Sequence, residues 1–229
     1  MSAPPPRARS LAAGWSSPLP TTDPADADTL LPVLEQARAL GFLGPGPLVA
    51  HLTNADGFAA ALGSAAPPVT ALDLGCGGGV PGLVLAQRWP TTRWLLLDAA
   101  RRRCAFLREA VELLGLEGRV VVIEARAEEA GRDLGLRQRI DVVTARAFAR
   151  PAITAECAAP LLVEGGCLLV SDPPDDQDRW DRAGLTTLGL VDEGIRTAPG
   201  AHIRVVRKST PSDERYPRRV GIPAKRPLW

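Results

Sequence analysis

Residues 71–82 read ALDLGCGGGVPG. A short apolar run, typical of a buried strand, passes here into a glycine-rich turn, and Pro81 follows where proline commonly begins a helix. Strand, glycine turn and helix in this order are typical of the first unit of a Rossmann-like α/β fold, in which the turn admits a cofactor. Gly77, Gly79 and Gly82 also satisfy G-x-G-x-x-G, although that pattern is weakly specific in so glycine-dense a segment.

Two acidic residues indicate which cofactor the turn serves. Asp73 lies just before the glycines, where a pyrophosphate would meet like charge and a sulfonium would meet opposite charge. Asp98 ends the next predicted strand, so it should face the same crevice and can accept hydrogen bonds from the hydroxyls of a ribose. We expect the cofactor to approach the backbone at Gly75 and Gly77, with positive φ in at least one of them. The pattern predicts S-adenosylmethionine bound by a class I methyltransferase, with a nicotinamide-type nucleotide as the alternative.

The rest of the chain extends this unit into a larger sheet. β-rich runs alternate with amphipathic helices from residue 69 to residue 207, which is typical of a parallel sheet with helices on both faces. The predicted strands are 69–74, 93–97, 119–123, 140–144, 167–171, 188–193 and 202–207, and the predicted helices between them are 81–89, 101–114, 128–134, 151–162 and 175–183. We therefore expect a seven-stranded, doubly wound, mostly parallel α/β sheet.

Composition and the positions of predicted helices and prolines divide the chain into four parts. Helical spacing predicts two helices before the sheet, at 29–40 and 48–62, with Pro32 in the first turn of the former. The pair Pro67-Pro68 marks the start of the main domain. The predicted divisions are a disordered leader at 1–27, an N-terminal helical cap at 28–66, the methyltransferase domain at 67–209 and a basic C-terminal arm at 210–229.

Length and composition limit the class of protein. The 229 residues suffice for one sizeable core, and no apolar run approaches the ~18 residues of a membrane span. The four cysteines are widely spaced and there are only two histidines, which disfavours a disulfide framework, a zinc site and Ser/His/Asp hydrolysis. We expect a cytoplasmic monomer with no membrane contact and no metal.

Positive charge is concentrated at the end of the chain. Residues 202–229 hold eight basic and two acidic residues, although the net charge of the whole chain is only +1. This asymmetry predicts contact with a polyanion, with a merely solvated tail as the alternative. Because Pro217, Pro223 and Pro227 disfavour a regular helix or strand, the segment is expected to lie outside the core. The alternative is that Ile222, Leu228 and Trp229 pack back over the sheet.

Several motifs taken together resemble a known family. They are DLGCGGGVPG at 73–82, LLLDAARRRCAFL at 95–107, ARAEE at 125–129, DVVTARAFA at 141–149, PLLVEGGCLL at 160–169 and RVVRKSTPSDERYPRRVGIPAKRPL at 204–228. The chain resembles, over 48–229, the guanine-N7 methyltransferases of small-subunit (16S) ribosomal RNA, also called glucose-inhibited division protein B. The resemblance implies ribosomal RNA of the small subunit as partner and N7-methylation of a guanine as activity.

The resemblance also implies the cofactor contacts Gly75, Val80, Ala127, Glu128 and Arg146, with Asp98 at the ribose. With the residues of the glycine turn, the predicted cofactor site is Asp73, Gly75, Gly77, Gly79, Val80, Asp98, Ala127, Glu128 and Arg146. Guanine N7 has a free lone pair, so no general base is expected and Arg146 is predicted only to position reactants. The alternatives are a helix N-terminal acid for Glu128 and an ion pair with Asp141 or Glu156 for Arg146.

Clusters of cations are the candidate RNA contacts. Arginines at the start of a helix oppose its dipole, which suggests a function for the cluster after the second strand. The predicted RNA-binding residues are Arg101, Arg102, Arg103, Arg218, Arg219, Lys225 and Arg226. Phe148 is predicted either to stack on the target base or to belong to the core.

Three segments depart from the family pattern. The WNxxxNLT segment is absent, AHLTNA at 50–55 stands where the family has RHIxDS, and SDPPDD at 171–176 stands where it commonly has Lys-Gly. These changes keep two alternatives open, a small-molecule methyltransferase on the same scaffold and a non-catalytic paralogue that binds cofactor or RNA.

Overall fold

The computed structural model describes residues 27–63, 66–173 and 179–229. Apart from residue 27, the predicted leader lies outside these ranges. Residues 174–178 also lie outside them, and these include Asp175 and Asp176 of the segment 171–176.

The described residues form one seven-stranded sheet. Its strands are β1 (Thr70–Leu74), β2 (Arg93–Asp98), β3 (Val120–Glu124), β4 (Ile140–Arg146), β5 (Leu162–Ser171), β6 (Leu190–Ala198) and β7 (Ala201–Lys208). They lie in the order β3-β2-β1-β4-β5-β7-β6. The first five strands pair in parallel, whereas β7 is antiparallel to both β5 and β6. The prediction of a doubly wound, mostly parallel sheet is confirmed.

Helices connect the strands. They are α1 (Ala27–Ala39), α2 (Leu48–Ala61), α3 (Gly82–Arg88), α4 (Arg101–Leu113), α5 (Ala127–Ala130), α6 (Pro151–Ala158), α7 (Arg182–Thr187) and α8 (Ile222–Lys225). Strand β1 has neighbours on both sides, β2 and β4, at the point where the strand order reverses. In an open α/β sheet, ligands bind at the carboxyl ends of the strands beside such a point.

Burial explains why these runs are strands. The side chains of Leu72, Leu95 and Val143 lie in neighbouring central strands and are fully buried, because helices cover both faces of a parallel sheet. Two apolar clusters fill the two sides. The predicted cap contributes Leu34 and Phe58, both with 0% exposure, to the first cluster, so α1 and α2 share the core of the main domain.

Some element boundaries differ from the prediction. Helix α1 begins two residues early, so Pro32 lies inside the helix and not in its first turn. Helix α7 begins at Arg182, where the side chain of Asp181 accepts a hydrogen bond from the Gly184 amide (2.6 Å). The described residues of the helix predicted at 175–183 are therefore mostly outside α7, because this capping interaction fixes its start.

The prediction that the C-terminal segment lies outside the core is wrong. Tyr216 is 5% exposed, and Arg137 Nη1 donates a hydrogen bond to its carbonyl oxygen (2.7 Å). The indole of Trp229 donates to the carbonyl oxygen of Arg179 (3.0 Å). The prolines limit regular structure in the segment to the single turn of α8, and Arg137 binds the backbone carbonyl oxygens of Ser212, Asp213 and Tyr216.

The lengths and hydrophobicity of the helices bear on whether any of them could cross a membrane. Among the helices at 27–63, 66–173 and 179–229, none combines the length and the apolar character that a membrane span requires.

Candidate functional site

Three adjoining cavities lie at the carboxyl edge of the sheet. The cap cavity, about 440 Å³, lies between residues 41–45 and the glycine turn, with Arg103 and Arg146 in its wall. The α5 cavity, about 210 Å³, is lined by residues 125–128 and other residues around the ends of β1 and β2. The β4-β5 cavity, about 440 Å³, lies beyond the ends of those two strands.

Four residues connect these cavities. Gly75 lines the cap cavity and the α5 cavity, Arg146 and Ala147 line the cap cavity and the β4-β5 cavity, and Phe148 lines the α5 cavity and the β4-β5 cavity. The structure therefore brings the ends of β1, β2, β4 and β5 into one cleft, where an extended ligand has room.

The glycine turn needs its glycines. Gly75, Gly77 and Gly79 have φ of 71°, 54° and 91°, in the left-handed region that favours glycine. A Cβ at Gly75 would lie 2.5 Å from the Phe148 ring. Gly79, by contrast, packs against the core residue Leu83 and lines none of the three cavities described above. An added side chain at this position would point toward the core, and the role of Gly79 as a cofactor contact stays a prediction.

Asp73 is buried beneath the turn. It is 1% exposed, its Oδ2 accepts from the Gly82 amide (2.8 Å) and its Oδ1 accepts from the Thr144 hydroxyl (3.0 Å). Burial raises the pKa of Asp73 to about 7, although both hydrogen bonds oppose that shift. Oδ2 thus ties Asp73 to the start of α3 and Oδ1 ties it to β4, while its direct contact with a cationic cofactor stays a prediction.

Asp98 faces the cleft at the end of β2. Its Oδ2 accepts from the Gly77 amide (3.0 Å), its Oδ1 accepts from the Ala100 amide (2.8 Å), and it lines the α5 cavity. Arg103 Nη1 lies 3.5 Å from Oδ2. A carboxylate has about four lone-pair sites, so Asp98 can still accept hydrogen bonds from a ligand.

Ala127 and Glu128 begin α5 and line the α5 cavity. Glu128 is 9% exposed, and its Oε1 accepts from the Gly221 amide (2.9 Å). Ala224, from the same C-terminal segment, also lines this cavity. The segment predicted to be an independent arm therefore forms part of the cleft.

Arg146 ends β4 between two cavities. Its Nη2 contacts Nδ1 of His51, a buried histidine of α2. Within the described part of the chain, its Nη1 is buried and has no hydrogen-bond partner. The alternative of an ion pair with Asp141 or Glu156 is wrong: Asp141 accepts hydrogen bonds from Thr70, and Glu156 binds Arg218. A buried, unpaired guanidinium nitrogen favours an anionic ligand in the cleft.

The family model described as rRNA small subunit methyltransferase G, or GidB, matches residues 48–183. The chain belongs to this family. Relatives of that name include a protein from Thermotoga sp. (strain RQ2), which is 39% identical over 69% of this chain and 72% of the relative. Another, from Roseiflexus sp. (strain RS-1), is 39% identical over 70% of this chain and 71% of the relative.

Solved methyltransferase structures share the fold. An O-methyltransferase family protein from Burkholderia thailandensis has a TM-score of 0.52 at 18% identity, covering 80% of this chain and 60% of that one. Precorrin-6y C5,15-methyltransferase from Geobacter metallireducens GS-15 has a TM-score of 0.50 at 16% identity, and the match covers 66% of this chain and 87% of that one. The family and the fold confirm the predicted class, an S-adenosylmethionine-dependent methyltransferase with a Rossmann-like α/β fold.

The cations predicted to bind RNA divide into two groups in this family member. Arg101, Arg102, Arg219, Lys225 and Arg226 are exposed. Arg218 instead binds Glu156 through Nε (2.9 Å) and Nη2 (2.6 Å), and Arg103 lines the cap cavity beside Asp98. These two contacts give both arginines a role within the fold, which the local sequence did not indicate.

Asp172, in the segment that departs from the family pattern, faces inward. Its Oδ2 accepts from the Trp180 indole (2.9 Å) and from Arg204 Nε (2.9 Å). Its charge is therefore balanced inside the protein, which weakens the argument that this acid selects a cationic metabolite. Phe148 is half-buried against the second apolar cluster and also lines the cleft, and its stacking on the target base stays a prediction.

Two residues with a structural role near the cleft were not predicted, His51 beside Arg146 and the buried Glu156 of α6. His51 lies in AHLTNA at 50–55, the remnant of a family segment, and that likeness was the one signal that could have identified it. Glu156 was considered only as a partner of Arg146. Its actual partner, Arg218, is 62 residues away in sequence, and such a pairing leaves no local pattern.

Proposed function

We propose that this chain transfers the methyl group of S-adenosylmethionine to N7 of a guanine in small-subunit ribosomal RNA. The observation that supports binding of the cofactor is the cleft itself. Arg146, whose Nη1 has no hydrogen-bond partner among the described residues, and the Asp98 carboxylate lie in its adjoining cavities, which share Gly75 of the glycine turn or Arg146. Membership in the rRNA small subunit methyltransferase G family supports the substrate.

The residues present fit the cofactor. Arg146 would hold its carboxylate, Asp98 its ribose hydroxyls, and Ala127 with Glu128 the edge of its adenine. Positive φ at Gly75 and Gly77 favours glycine, which has no side chain to occupy the space where the cofactor meets the backbone. When bound, S-adenosylmethionine supplies an electrophilic methyl group.

The protein's part in the reaction is positioning. Guanine N7 attacks with a lone pair that bears no proton, so no side chain has to remove one. The β4-β5 cavity adjoins the cap cavity at Arg146 and gives a base extruded from an RNA loop a place beside the cofactor. Residues 41–45 form the wall of the cap cavity opposite the glycine turn, which limits the access of water to the reacting atoms.

Exposed cations bind the RNA backbone in this proposal. Arg101 and Arg102 lie at the start of α4, after Asp98, while Arg219, Lys225 and Arg226 flank Ala224 of the α5 cavity. Phosphate contacts of this kind orient RNA without reading its sequence.

The test is methyl transfer in vitro. The purified chain, isotopically labelled S-adenosylmethionine, and either naked small-subunit rRNA or intact small subunits from a strain lacking the modification are combined. Mass spectrometry of the digested RNA is expected to show one labelled 7-methylguanosine. Label on another base, or no label with either substrate, would refute the proposal.

A matched pair of variants controls this experiment. Asp98→Asn removes a charge and an acceptor at the cleft, whereas Asp213→Asn makes the same change at an exposed residue. Transfer is expected to be lost in the first variant and retained in the second. Equal activity in both would show that Asp98 does not bind the cofactor.

A further inference from the structure

The cap helix α2 is tied to the ends of two neighbouring strands. His51 contacts Nη2 of Arg146 at the end of β4, and Asn54 Nδ2 donates to the Ser171 hydroxyl at the end of β5 (3.2 Å). Arg146 and Ser171 are register partners in the sheet, so one face of α2 spans the edge of the cleft.

The hydrogen bonds of His51 define its tautomer. Its Nε2 lies 3.1 Å from the carbonyl oxygen of Gly44, in the loop that walls the cap cavity. Because a carbonyl oxygen only accepts, Nε2 carries the proton and Nδ1 has the free lone pair. Nδ1 therefore accepts from Arg146 Nη2, and the imidazole links the cap loop to the guanidinium.

This link fixes the orientation of the whole guanidinium. The group is planar, so holding Nη2 also determines where Nη1 points. Nη1 is buried at the cleft, with no acceptor among the residues at 27–63, 66–173 and 179–229. An arginine held in place by one partner with a second donor left over is pre-organised for a ligand.

We propose that His51 is a positioning residue for Arg146, holding Nη1 toward the carboxylate of the cofactor. This inference rests on the proposed function, since it assumes that the cleft binds S-adenosylmethionine. It extends that function by making the cap a part of the cofactor site.

Protonation of His51 would break the link. Imidazolium has no acceptor and would place a cation beside Arg146. Burial and the Arg146 charge, with Arg38 of α1 in addition, lower the pKa of His51 from its ordinary value of 6.5, while the Gly44 carbonyl raises it. Neutral His51 therefore persists near pH 7, and cofactor affinity falls as the pH drops through its lowered pKa. Asp73, which also interacts with Arg146, titrates at about 7, so the pH profile must be compared between variants.

Two substitutions separate the two hydrogen bonds. His51→Asn keeps an acceptor near the position of Nδ1, and His51→Gln keeps a donor near the position of Nε2 but no acceptor toward Arg146. His202→Gln, at the other histidine of the chain, is the control. Affinity for S-adenosylmethionine is measured by calorimetry at pH 8.0 and 5.5, together with the Tm of each variant.

We expect His51→Gln to weaken binding at pH 8.0 roughly tenfold, which is the effect of losing one hydrogen bond to a charged group. His51→Asn should recover most of this loss. Wild type and His202→Gln should lose affinity at pH 5.5 more steeply than His51→Gln, which lacks the titrating group.

Other outcomes would overturn the inference. If wild type binds no S-adenosylmethionine, the proposed function fails and the role of His51 fails with it. If wild type binds but His51→Gln has the same affinity and pH profile, the proposed function stands and the positioning role is wrong. If both His51 variants lower Tm and affinity equally, with no recovery in His51→Asn, His51 is merely structural.

Discussion

A methyl group at residue 75 would meet two obstacles. Gly75 has φ of 71°, and an added Cβ would lie 2.5 Å from the Phe148 ring. Gly115 has a similar φ of 63°, but no described atom lies within 4 Å of its added Cβ. Gly115→Ala should lose about 1–2 kcal/mol in urea unfolding. Gly75→Ala should lose more, because the Phe148 ring must also move. Only Gly75→Ala should also lose cofactor binding in calorimetry, and wild-type affinity in that variant would contradict the role of the turn.

Asp73 makes stability depend on pH. Because burial raises its pKa to about 7, the folded chain holds a proton there that the unfolded chain releases near pH 4. The contribution of Asp73 to stability is therefore largest below pH 4 and declines as pH rises toward 7, by at most about 1.4 kcal/mol per pH unit.

The variant Asp73→Asn tests this dependence. Its amide oxygen can accept from the Gly82 amide, and its amide nitrogen can donate to Thr144, whose hydroxyl lies 3.5 Å from the Leu72 carbonyl. Urea unfolding of the cofactor-free protein from pH 4.5 to 7.5 should show a flatter profile for the variant than for wild type. Parallel profiles would mean that Asp73 is ionised throughout.

At the scale of elements, a buried ion pair ties the C-terminal segment to α6. Glu156 is 0% exposed and binds Arg218, so Arg218→Ala leaves a buried carboxylate without its cation. This variant should lose about 3–5 kcal/mol of unfolding free energy. Arg215→Ala is the control, because Arg215 pairs on the surface with Asp213, an interaction worth about 0–1 kcal/mol. Equal losses would show that the pair does not hold the segment.

The elements also show which parts of the fold and of the site could be predicted from the sequence. Strands such as β1 and β2 are continuous apolar runs between turns, so their positions were predictable within a few residues. The position of Asp98 at the end of β2 and the positive φ of Gly75 were predictable, because each follows from a local sequence pattern. The partner of Arg218 and the inward direction of Asp73 were not found, because both depend on elements that meet only in three dimensions.

For the whole molecule, salt dependence distinguishes surface cations from structural ones. Arg219, Lys225 and Arg226 are exposed, so replacing all three by alanine should reduce the salt slope of rRNA binding by roughly 0.7–0.9 for each phosphate that the variant no longer binds. Arg218→Ala should lower Tm with little change in slope. Filter binding at several salt concentrations measures both, and an unchanged slope in the triple variant would place the RNA elsewhere.

Deleting residues 216–229 should lower Tm and cofactor affinity together, as differential scanning fluorimetry and calorimetry would show. The reason is that Gly221 binds Glu128 and Ala224 lines the α5 cavity. Unchanged affinity would instead support the independent arm that the sequence predicts.

The return of this segment to α5 and α6 also sets an order of events during translation. A nascent chain that has emerged as far as β7 contains every strand of the sheet, yet Glu156 still lacks its cation and the α5 cavity lacks the wall that Ala224 provides. Residues 216–225 follow in synthesis, so the sheet can form on the ribosome before the cleft is complete. We therefore expect the cofactor cleft to be the last part of the fold to be completed during synthesis.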